Sequence, residues 1–266
     1  MPTDRIEGVA RREVVDVTGG VSTPRQDHLA EEVPLAVHGN GEPLAVMMGS
    51  PCDLADFARG FALTELGVAG EGLLSVTVET LLEGIRIDIR TRDPLPVRAD
   101  RWLPGRSGCG ICGNRALEDV VRQPEAVANG SLIASSALAI ALAQLEQRQP
   151  LNAATGAIHA AAWASVDGTL MLVREDVGRH NALDKLIGAM LHESVDVTSG
   201  FALVTSRASY EMVAKAAMAG MPLLAAISAP TALAVDLALG CGLTLVGFLR
   251  EGRHVVYSHP ERLTTP

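Results

Sequence analysis

The stretch FALVTSRASYEMVAKAAMAGMPLLAAISAPTALAVDLALGCGLTLVGFLR, residues 201–250, decides the fold class of this chain. Short apolar runs such as FALV and PLLAAI alternate in it with longer segments whose apolar residues recur at helical spacing. Strands that alternate with helices in this way usually lie parallel, because each helix returns the chain to the same end of the sheet. The stretch therefore predicts an α/β domain with a largely parallel sheet covered by helices.

The same pattern begins upstream of this stretch. A helix is predicted over residues 135–149, followed by strands over 157–166 and 169–175 and a helix over 177–193. A DG turn signal separates the two strands. We assign this α/β domain to residues 126–266.

The N-terminal part of the chain predicts a smaller α+β domain over residues 29–125. Two apolar runs around a Gly-rich turn in EEVPLAVHGNGEPLAVMM indicate a hairpin, and DLADFARGFALTELG has the spacing of a helix that Asp53 could cap and Gly67 end. Strict alternation in GIRIDIRT indicates a half-buried strand. Residues 1–28 are polar and unpatterned, and we expect a loose arm there.

Composition narrows the class of protein. The net charge of −9 and the pI of about 5.3 argue against a nucleic-acid-binding protein. The N-terminus has no signal-peptide pattern, and the chain has no apolar run long enough to span a bilayer. We therefore expect a cytoplasmic protein that binds neither nucleic acid nor membrane.

A CxxC pair, Cys109 and Cys112, follows a Pro-rich loop over residues 92–108 and is flanked by glycines. A structural zinc site needs four ligands, and no second pair or suitably spaced histidine completes one, so we predict no metal. The zinc-deaminase signature is also absent, since Ala161 stands where the catalytic Glu after His159 would be. Thiol–disulfide exchange and sulfur transfer both remain open from the motif alone.

Polar residues occupy the turns between strands and helices in the C-terminal half. Arg179, His180 and Lys185 lie near the start of one predicted helix, while Arg207 and Ser209 lie just before the next. Because the carboxyl ends of parallel strands meet at one edge, these turns should gather there, where α/β folds bind ligands. Helix starts and guanidinium groups favour an anionic ligand.

Six motifs together resemble one family, the formate dehydrogenase accessory sulfurtransferases called FdhD. They are GCGICG, TGAIHAAAW, REDVGRHNALDKLIG, TSRASYEMVAKAAMAG, SAPTALAVDLA and LTLVGFLREGR. All lie in the second part of the chain, in the order that the family has, and DVGRHNALDK is particularly specific. The first hundred residues match the family more loosely.

The resemblance implies a fold, a function and partners. The fold is a cytidine-deaminase-like α/β domain behind a smaller N-terminal α+β domain, usually in a homodimer. The function is that of a cytoplasmic sulfur carrier that takes persulfide sulfur from a cysteine desulfurase. It passes the sulfur to the molybdenum cofactor, a bis-(molybdopterin guanine dinucleotide), before that cofactor enters formate dehydrogenase.

The resemblance also implies roles for individual residues. Cys109 would carry the persulfide and Cys112 would be the supporting thiol. The family's cofactor-binding stretch falls on Phe248, Leu249, Arg250, Glu251, Gly252 and Arg253. We add His180 and Arg207 as further cofactor-binding candidates.

A hypothesis about the two lysines follows from the resemblance. The chain has 20 arginines but only Lys185 and Lys215, which suggests that these two ammonium groups were kept to bind cofactor phosphates. Two other functions stay open at this point. One is a chaperone that delivers the cofactor without sulfur chemistry, and the other is a CxxC thiol–disulfide oxidoreductase.

Overall fold

The computed structural model describes residues 6–95 and 124–264. Within these two ranges, no helix is long and apolar enough to cross a membrane.

The chain begins with a β-hairpin. Strand β1 (Val9–Thr18) pairs antiparallel with β2 (Val21–Ala30) around Gly19 and Gly20, which both have positive φ. A two-residue hairpin turn needs this conformation, and glycine adopts it without strain. The prediction of a loose arm over residues 1–28 is therefore wrong from Val9 onward. The Gly-Gly turn and the cross-strand pairing form a hairpin from two segments that lack apolar alternation.

A four-stranded sheet and one helix form the rest of the N-terminal half. These elements are β3 (Val33–Gly39), β4 (Glu42–Gly49), α1 (Leu54–Leu66), β5 (Leu73–Leu81) and β6 (Gly84–Thr91). The strand order is β4-β3-β6-β5, and α1 covers one face of the sheet with a core that includes Leu35, Phe57, Phe61 and Ile87.

The sequence predicted the local features of this half well. The hairpin turns at Asn40 and Gly41, both with positive φ, and Gly67 ends α1 in the left-handed conformation. Asp53 does precede the helix, but its side chain makes no capping hydrogen bond. The predicted side-chain cap is therefore absent from the start of α1.

The C-terminal half contains a larger mixed sheet. The helices and strands of this half, in chain order, are β7 (Ile133–Ala134), α2 (Ser135–Gln147), α3 (Pro150–Thr155), β8 (His159–Ser165), β9 (Leu170–Asp176), α4 (Arg179–His192), β10 (Gly200–Val204), α5 (Tyr210–Met218), β11 (Leu223–Ala226), α6 (Ala232–Cys241), β12 (Thr244–Arg250), β13 (Arg253–Ser258) and β14 (Leu263–Thr264). The six-stranded sheet has the order β13-β12-β11-β10-β8-β9.

Four of these six strands run in the same direction. β10, β11 and β12 pair in parallel, and β9 joins them in direction because it is antiparallel to β8, which is antiparallel to β10. Helix α2 covers one face of the sheet, while α4, α5 and α6 cover the other. The predicted α/β class is confirmed, and the predicted domain boundary at residue 125 stays a prediction.

Helices α1 and α4 cross in direct backbone contact, which joins the two halves. A Cβ atom at Gly60 would lie 1.9 Å from the carbonyl oxygen of Asp184, and one at Gly188 would lie 1.8 Å from that of Asp56. Atoms cannot approach so closely, so each helix needs glycine where it meets the other.

Three ion pairs lie beside this crossing. Arg174 on β9 places Nη2 2.8 Å from Oδ2 of Asp56 on α1. Lys215 on α5 lies 2.8 Å from Oδ2 of the fully buried Asp184 and 2.9 Å from Glu65 on α1. Charges that leave water need close partners of opposite sign, so these contacts fix how the halves meet.

We predict that Gly60→Ala destabilises the protein by about 1–3 kcal/mol, because the added methyl group forces the two helices apart. Chemical denaturation followed by circular dichroism measures the change. Gly240→Ala is the matched control, because Gly240 is also helical and has open space around its Cβ position. The control should leave the unfolding free energy unchanged or raise it by up to about 1 kcal/mol. Equal stability of Gly60→Ala and the wild type would contradict the steric account.

Candidate functional site

The predicted persulfide site, Cys109 and Cys112, lies outside the described residues and stays a prediction. The other two cysteines are free thiols: Cys241 is buried in α6, and Cys52 is half-buried just before α1. Burial raises the pKa of both thiols above its ordinary value, even though the Lys185 ammonium lies 3.7 Å from the Cys52 sulfur. Neither thiol is therefore activated as a thiolate by its surroundings.

The strand–helix turns of the C-terminal half gather at one edge of the six-stranded sheet, as predicted. We call this edge the C-terminal rim; it comprises residues 176–180, 205–210, 227–231 and 248–253, which lie at or just after the ends of β9, β10, β11 and β12. His159, the first residue of the antiparallel strand β8, lies at the same edge opposite Asp176.

Backbone hydrogen bonds join neighbouring turns of the C-terminal rim. Ala208 N donates to Ala229 O at 3.2 Å, and Thr231 N donates to Ala208 O at 3.0 Å. Phe248 N donates to Ser228 O at 3.1 Å. The turns after β10, β11 and β12 thus form one continuous surface.

The start of α4 contacts the start of α5 through two side chains. His180 Nε2 lies 2.8 Å from Glu211 Oε2, and both side chains are largely buried. Burial by itself would raise the pKa of Glu211, but the contact with His180 outweighs it and the pKa is lowered. Glu211 is therefore a carboxylate that holds the predicted site residue His180 against α5.

Two buried polar atoms beside this contact have no hydrogen-bond partner within the described parts of the chain. They are the Nε of Arg179 and the Oγ of Ser209. Arg179 is the first residue of α4, and Ser209 immediately precedes α5. A buried polar atom without a partner is costly, and such atoms in a folded protein commonly mark a place that a ligand or water completes.

Among the described residues, no side-chain hydrogen bond caps the start of α4 or of α5. The residues that precede these two helices are Gly178 and Ser209. By contrast, Thr231 caps α6 by accepting a hydrogen bond from Ala234 N. The first amides of a helix and its dipole favour an anion at that end.

His159 is a rim residue that the sequence analysis did not select. Burial, together with Arg179 and His180 close by, lowers the pKa of its imidazole below 6.5. The ring is therefore neutral at pH 7 and can donate or accept a hydrogen bond. The sequence pattern IHAAAW reads only as a strand, and the antiparallel pairing with β9 is what brings its first residue to the site.

Arg207 is exposed on the turn between β10 and α5, as a ligand-binding residue on this rim must be. The hydroxyl of Ser206 donates to the Arg207 carbonyl oxygen at 3.0 Å and steadies the turn. The structure thus brings both weaker predicted candidates, His180 and Arg207, to the same edge of the sheet.

The predicted stretch 248–253 forms the end of β12 and its turn into β13. Phe248 has a φ of 51°, and the register with β13 shifts between Gly247 and Arg250. In a regular strand, residues 246 and 248 would lie on the same face of the sheet. Here Val246 and Leu249 share the core that α2 covers, so Leu249 takes the place that alternation would give to residue 248. The bulge therefore leaves Phe248 unpacked, with 42% of its surface exposed.

The other residues of this stretch differ in what they can contact. The Leu249 side chain is buried in the core, so only its backbone can meet a ligand. The Arg250 guanidinium donates to the carbonyl oxygens of Ile227 and Leu249, which ties it to the end of β11. Glu251, Gly252 and Arg253 form an exposed turn.

The lysine hypothesis is wrong. Lys185 has no exposed surface and lies 2.7 Å from Oδ2 of Asp176, while Lys215 is buried against Asp184 and Glu65. Both ammonium groups are therefore neutralised inside the protein and cannot reach a cofactor phosphate. The sequence does not reveal this, because their carboxylate partners lie on other elements or at distant positions.

Comparison with known proteins agrees on one family. The family model described as "FdhD/NarQ family" matches residues 30–264. A protein of Xanthomonas campestris pv. campestris (strain B100) named "Sulfur carrier protein FdhD" is 55% identical over 92% of this chain and 89% of its own length. A protein of the same name from Cupriavidus necator is 49% identical over 89% of this chain and 84% of its own length.

One solved structure has a similar fold. It is the "Crystal structure of a putative formate dehydrogenase accessory protein from Desulfotalea psychrophila", with a TM-score of 0.77 and 24% sequence identity. The superposition covers 96% of this chain and 99% of the other. The similarity of fold therefore extends over nearly the whole of both chains.

We predict that His159 makes the protein less stable in mild acid. Because the pKa is lower in the folded state, the unfolded chain binds more protons below the ordinary pKa of 6.5. The stabilisation is complete above that value and is lost as the pH falls through the folded-state pKa. The unfolding free energy should therefore decline less steeply between about pH 7 and pH 5 in His159→Gln than in the wild type.

Urea unfolding at several pH values and constant ionic strength measures this slope. His254→Gln replaces a half-buried histidine on β13 and is the control for the general effect of a histidine-to-glutamine change. If His159→Gln keeps the wild-type slope, His159 does not titrate as we predict.

Proposed function

The chain belongs to the FdhD/NarQ family, and from this premise we propose that it is a sulfur carrier that serves formate dehydrogenase. Its relatives are named for sulfur carriage, and a protein of similar fold is described as a "putative formate dehydrogenase accessory protein". We further propose that it works in the cytoplasm as a homodimer. Its sulfur acceptor is the molybdenum cofactor, bound as bis-(molybdopterin guanine dinucleotide) at the C-terminal rim.

The observation that carries the cofactor site is the pair of unsatisfied buried atoms, Arg179 Nε and Ser209 Oγ. They lie at two adjacent helix starts that no side chain caps. The diphosphate of a guanine dinucleotide has several anionic oxygens. These oxygens would accept hydrogen bonds from both atoms and from the first amides of the two helices. Arg207 and Arg253 add exposed positive charge at the same edge.

The exposed side chain of Phe248 suits the ring systems of this ligand. Its backbone is in the left-handed region, which costs a non-glycine residue about 1–3 kcal/mol and is often found at functional sites. The strain presents an exposed aromatic ring beside the cationic groups. A guanine or pterin ring stacks favourably on such a side chain.

The sulfur chemistry is assigned to the CxxC motif. The Cys109 thiolate attacks the outer sulfur of the desulfurase persulfide, so a new S–S bond forms as the bond in the donor breaks. The donor cysteine leaves as a thiolate, and Cys109 then carries –S–SH. Cys112 supports the reaction by stabilising the Cys109 thiolate.

We predict that Cys109→Ala abolishes sulfur loading. After incubation with a cysteine desulfurase and cysteine, intact-mass analysis of the wild type should show one added sulfur atom. The adduct should be absent in Cys109→Ala and reduced in Cys112→Ala, since without Cys112 a smaller fraction of Cys109 is the reactive thiolate at neutral pH. Cys52→Ala removes a thiol whose pKa is raised and is the matched control, which should load like the wild type.

The same variants separate the other two functions. A cofactor-delivery chaperone would mature formate dehydrogenase equally well after both CxxC cysteines were replaced by alanine. A thiol–disulfide oxidoreductase would form a reversible Cys109–Cys112 disulfide and no persulfide. Normal loading of Cys109→Ala would refute the sulfur-carrier assignment to that residue.

We predict that Arg179→Gln weakens the binding of guanosine diphosphate, a probe for the nucleotide end of the cofactor, by about tenfold. A hydrogen bond to a charged group is worth about 1.5–3 kcal/mol, which corresponds to roughly a tenfold to hundredfold change in Kd. Isothermal titration calorimetry measures the constant. Arg86→Gln removes an arginine from the four-stranded sheet and should keep the wild-type Kd. An unchanged Kd in Arg179→Gln would move the nucleotide site away from the start of α4.

A further inference from the structure

Asp176 at the end of β9 is fully buried and accepts hydrogen bonds with both carboxylate oxygens. Its Oδ2 accepts from Ser50 N at 3.0 Å and lies 2.7 Å from Lys185 Nζ. Its Oδ1 accepts from Gly178 N at 2.7 Å and from Asn181 Nδ2 at 3.0 Å. One carboxylate thus joins the turn between β9 and α4 to the N-terminal half of the chain.

The segment after β4 holds the same turn by further contacts. Ser50 Oγ accepts from Val177 N at 3.1 Å, and Ser50 O accepts from Lys185 Nζ at 3.2 Å. Asn181 Nδ2 also donates to Met48 O at 2.9 Å. Gly49 permits this approach, because a Cβ there would lie 2.9 Å from Asn181 Nδ2.

The side chains of these residues are buried beneath the surface of the C-terminal rim. Ser50, Asp176, Asn181 and Lys185 have between 0% and 2% of their surface exposed, so they do not touch a ligand. The turn that they hold leads directly into Arg179 and His180. Any shift of the turn therefore moves both side chains.

We propose that Asp176 is a positioning residue through which Ser50 of the N-terminal half sets the ligand-binding geometry of Arg179 and His180. The ligand part of this inference rests on the proposed cofactor site. Outer partners of binding residues act in this way at other sites, where their loss weakens binding by about 10–100-fold without removing a direct contact.

The nearby ion pair between Arg174 and Asp56 distinguishes positioning from general stabilisation. It also joins β9 to the N-terminal half, and Arg174 is only two residues before Asp176. Within the described residues, the side-chain hydrogen bonds of Arg174 and Asp56 involve none of the backbone amides between residues 177 and 180. Loss of Asp56 should therefore loosen the contact between the halves without releasing the turn.

The experiment compares Asp176→Asn, Ser50→Ala and Asp56→Asn with the wild type. Binding of guanosine diphosphate is measured by calorimetry, hydrogen exchange of a peptide covering residues 177–182 by mass spectrometry, and the melting temperature in parallel. We expect Asp176→Asn to raise the Kd about tenfold and to speed exchange in this peptide. Ser50→Ala should do both to a smaller extent, while Asp56→Asn should lower the melting temperature without either effect.

Each outcome either supports or contradicts the positioning role of Asp176 and Ser50. If Asp176→Asn does not fold, Ser50→Ala gives the result, because it keeps the buried ion pair and loses only the acceptor for Val177 N. Equal Kd and exchange in Ser50→Ala, Asp56→Asn and the wild type would overturn the positioning role. If the wild type itself does not bind guanosine diphosphate, the proposed nucleotide site is wrong, and exchange in the peptide still decides whether Ser50 and Asp176 hold the turn.

Discussion

The contact between α1 and α4 is the constraint on which the rest of the structure depends. At Gly60 and Gly188 the two backbones touch, and no larger residue fits at either position. Because the helices approach so closely, the polar groups of each are removed from water by the other. Carboxylates and ammonium groups must then pair across the junction, which explains why Lys215 lies between Asp184 and Glu65.

The same junction explains why the candidate site needs both halves of the chain. The six-stranded sheet supplies the C-terminal rim, with its helix starts and cationic side chains. The segment after β4 supplies the backbone and hydroxyl groups of Ser50 that hold the turn before α4. The edge of the sheet that carries the candidate site is thus held in place by residues of the other half of the chain.

Local sequence patterns anticipated much of this fold. The alternation of strands and helices over residues 201–250, the turn at Asn40 and Gly41 and the helix end at Gly67 all follow from short-range preferences. The hairpin of β1 and β2 did not, because it lacks apolar alternation and its only strong signal is Gly19–Gly20. His180 and Arg207 were anticipated because a polar turn after a strand points to the edge of the sheet.

The sequence by itself determined the fold class, the edge of the sheet at which the polar turns gather and the family, since these depend on periodicity and on contiguous motifs. Only the tertiary structure decided which charged residues can face a ligand at that edge. Lys185 and Lys215 lie in the motifs as plainly as Arg179, but they are buried against carboxylates, while Arg179 keeps a buried nitrogen without a partner among the described residues. Likewise, Glu211 and His159 reach the site only through helix packing and strand pairing. The sequence shows which side chains are charged. The groups that each of them contacts, however, depend on how residues far apart in the chain are brought together.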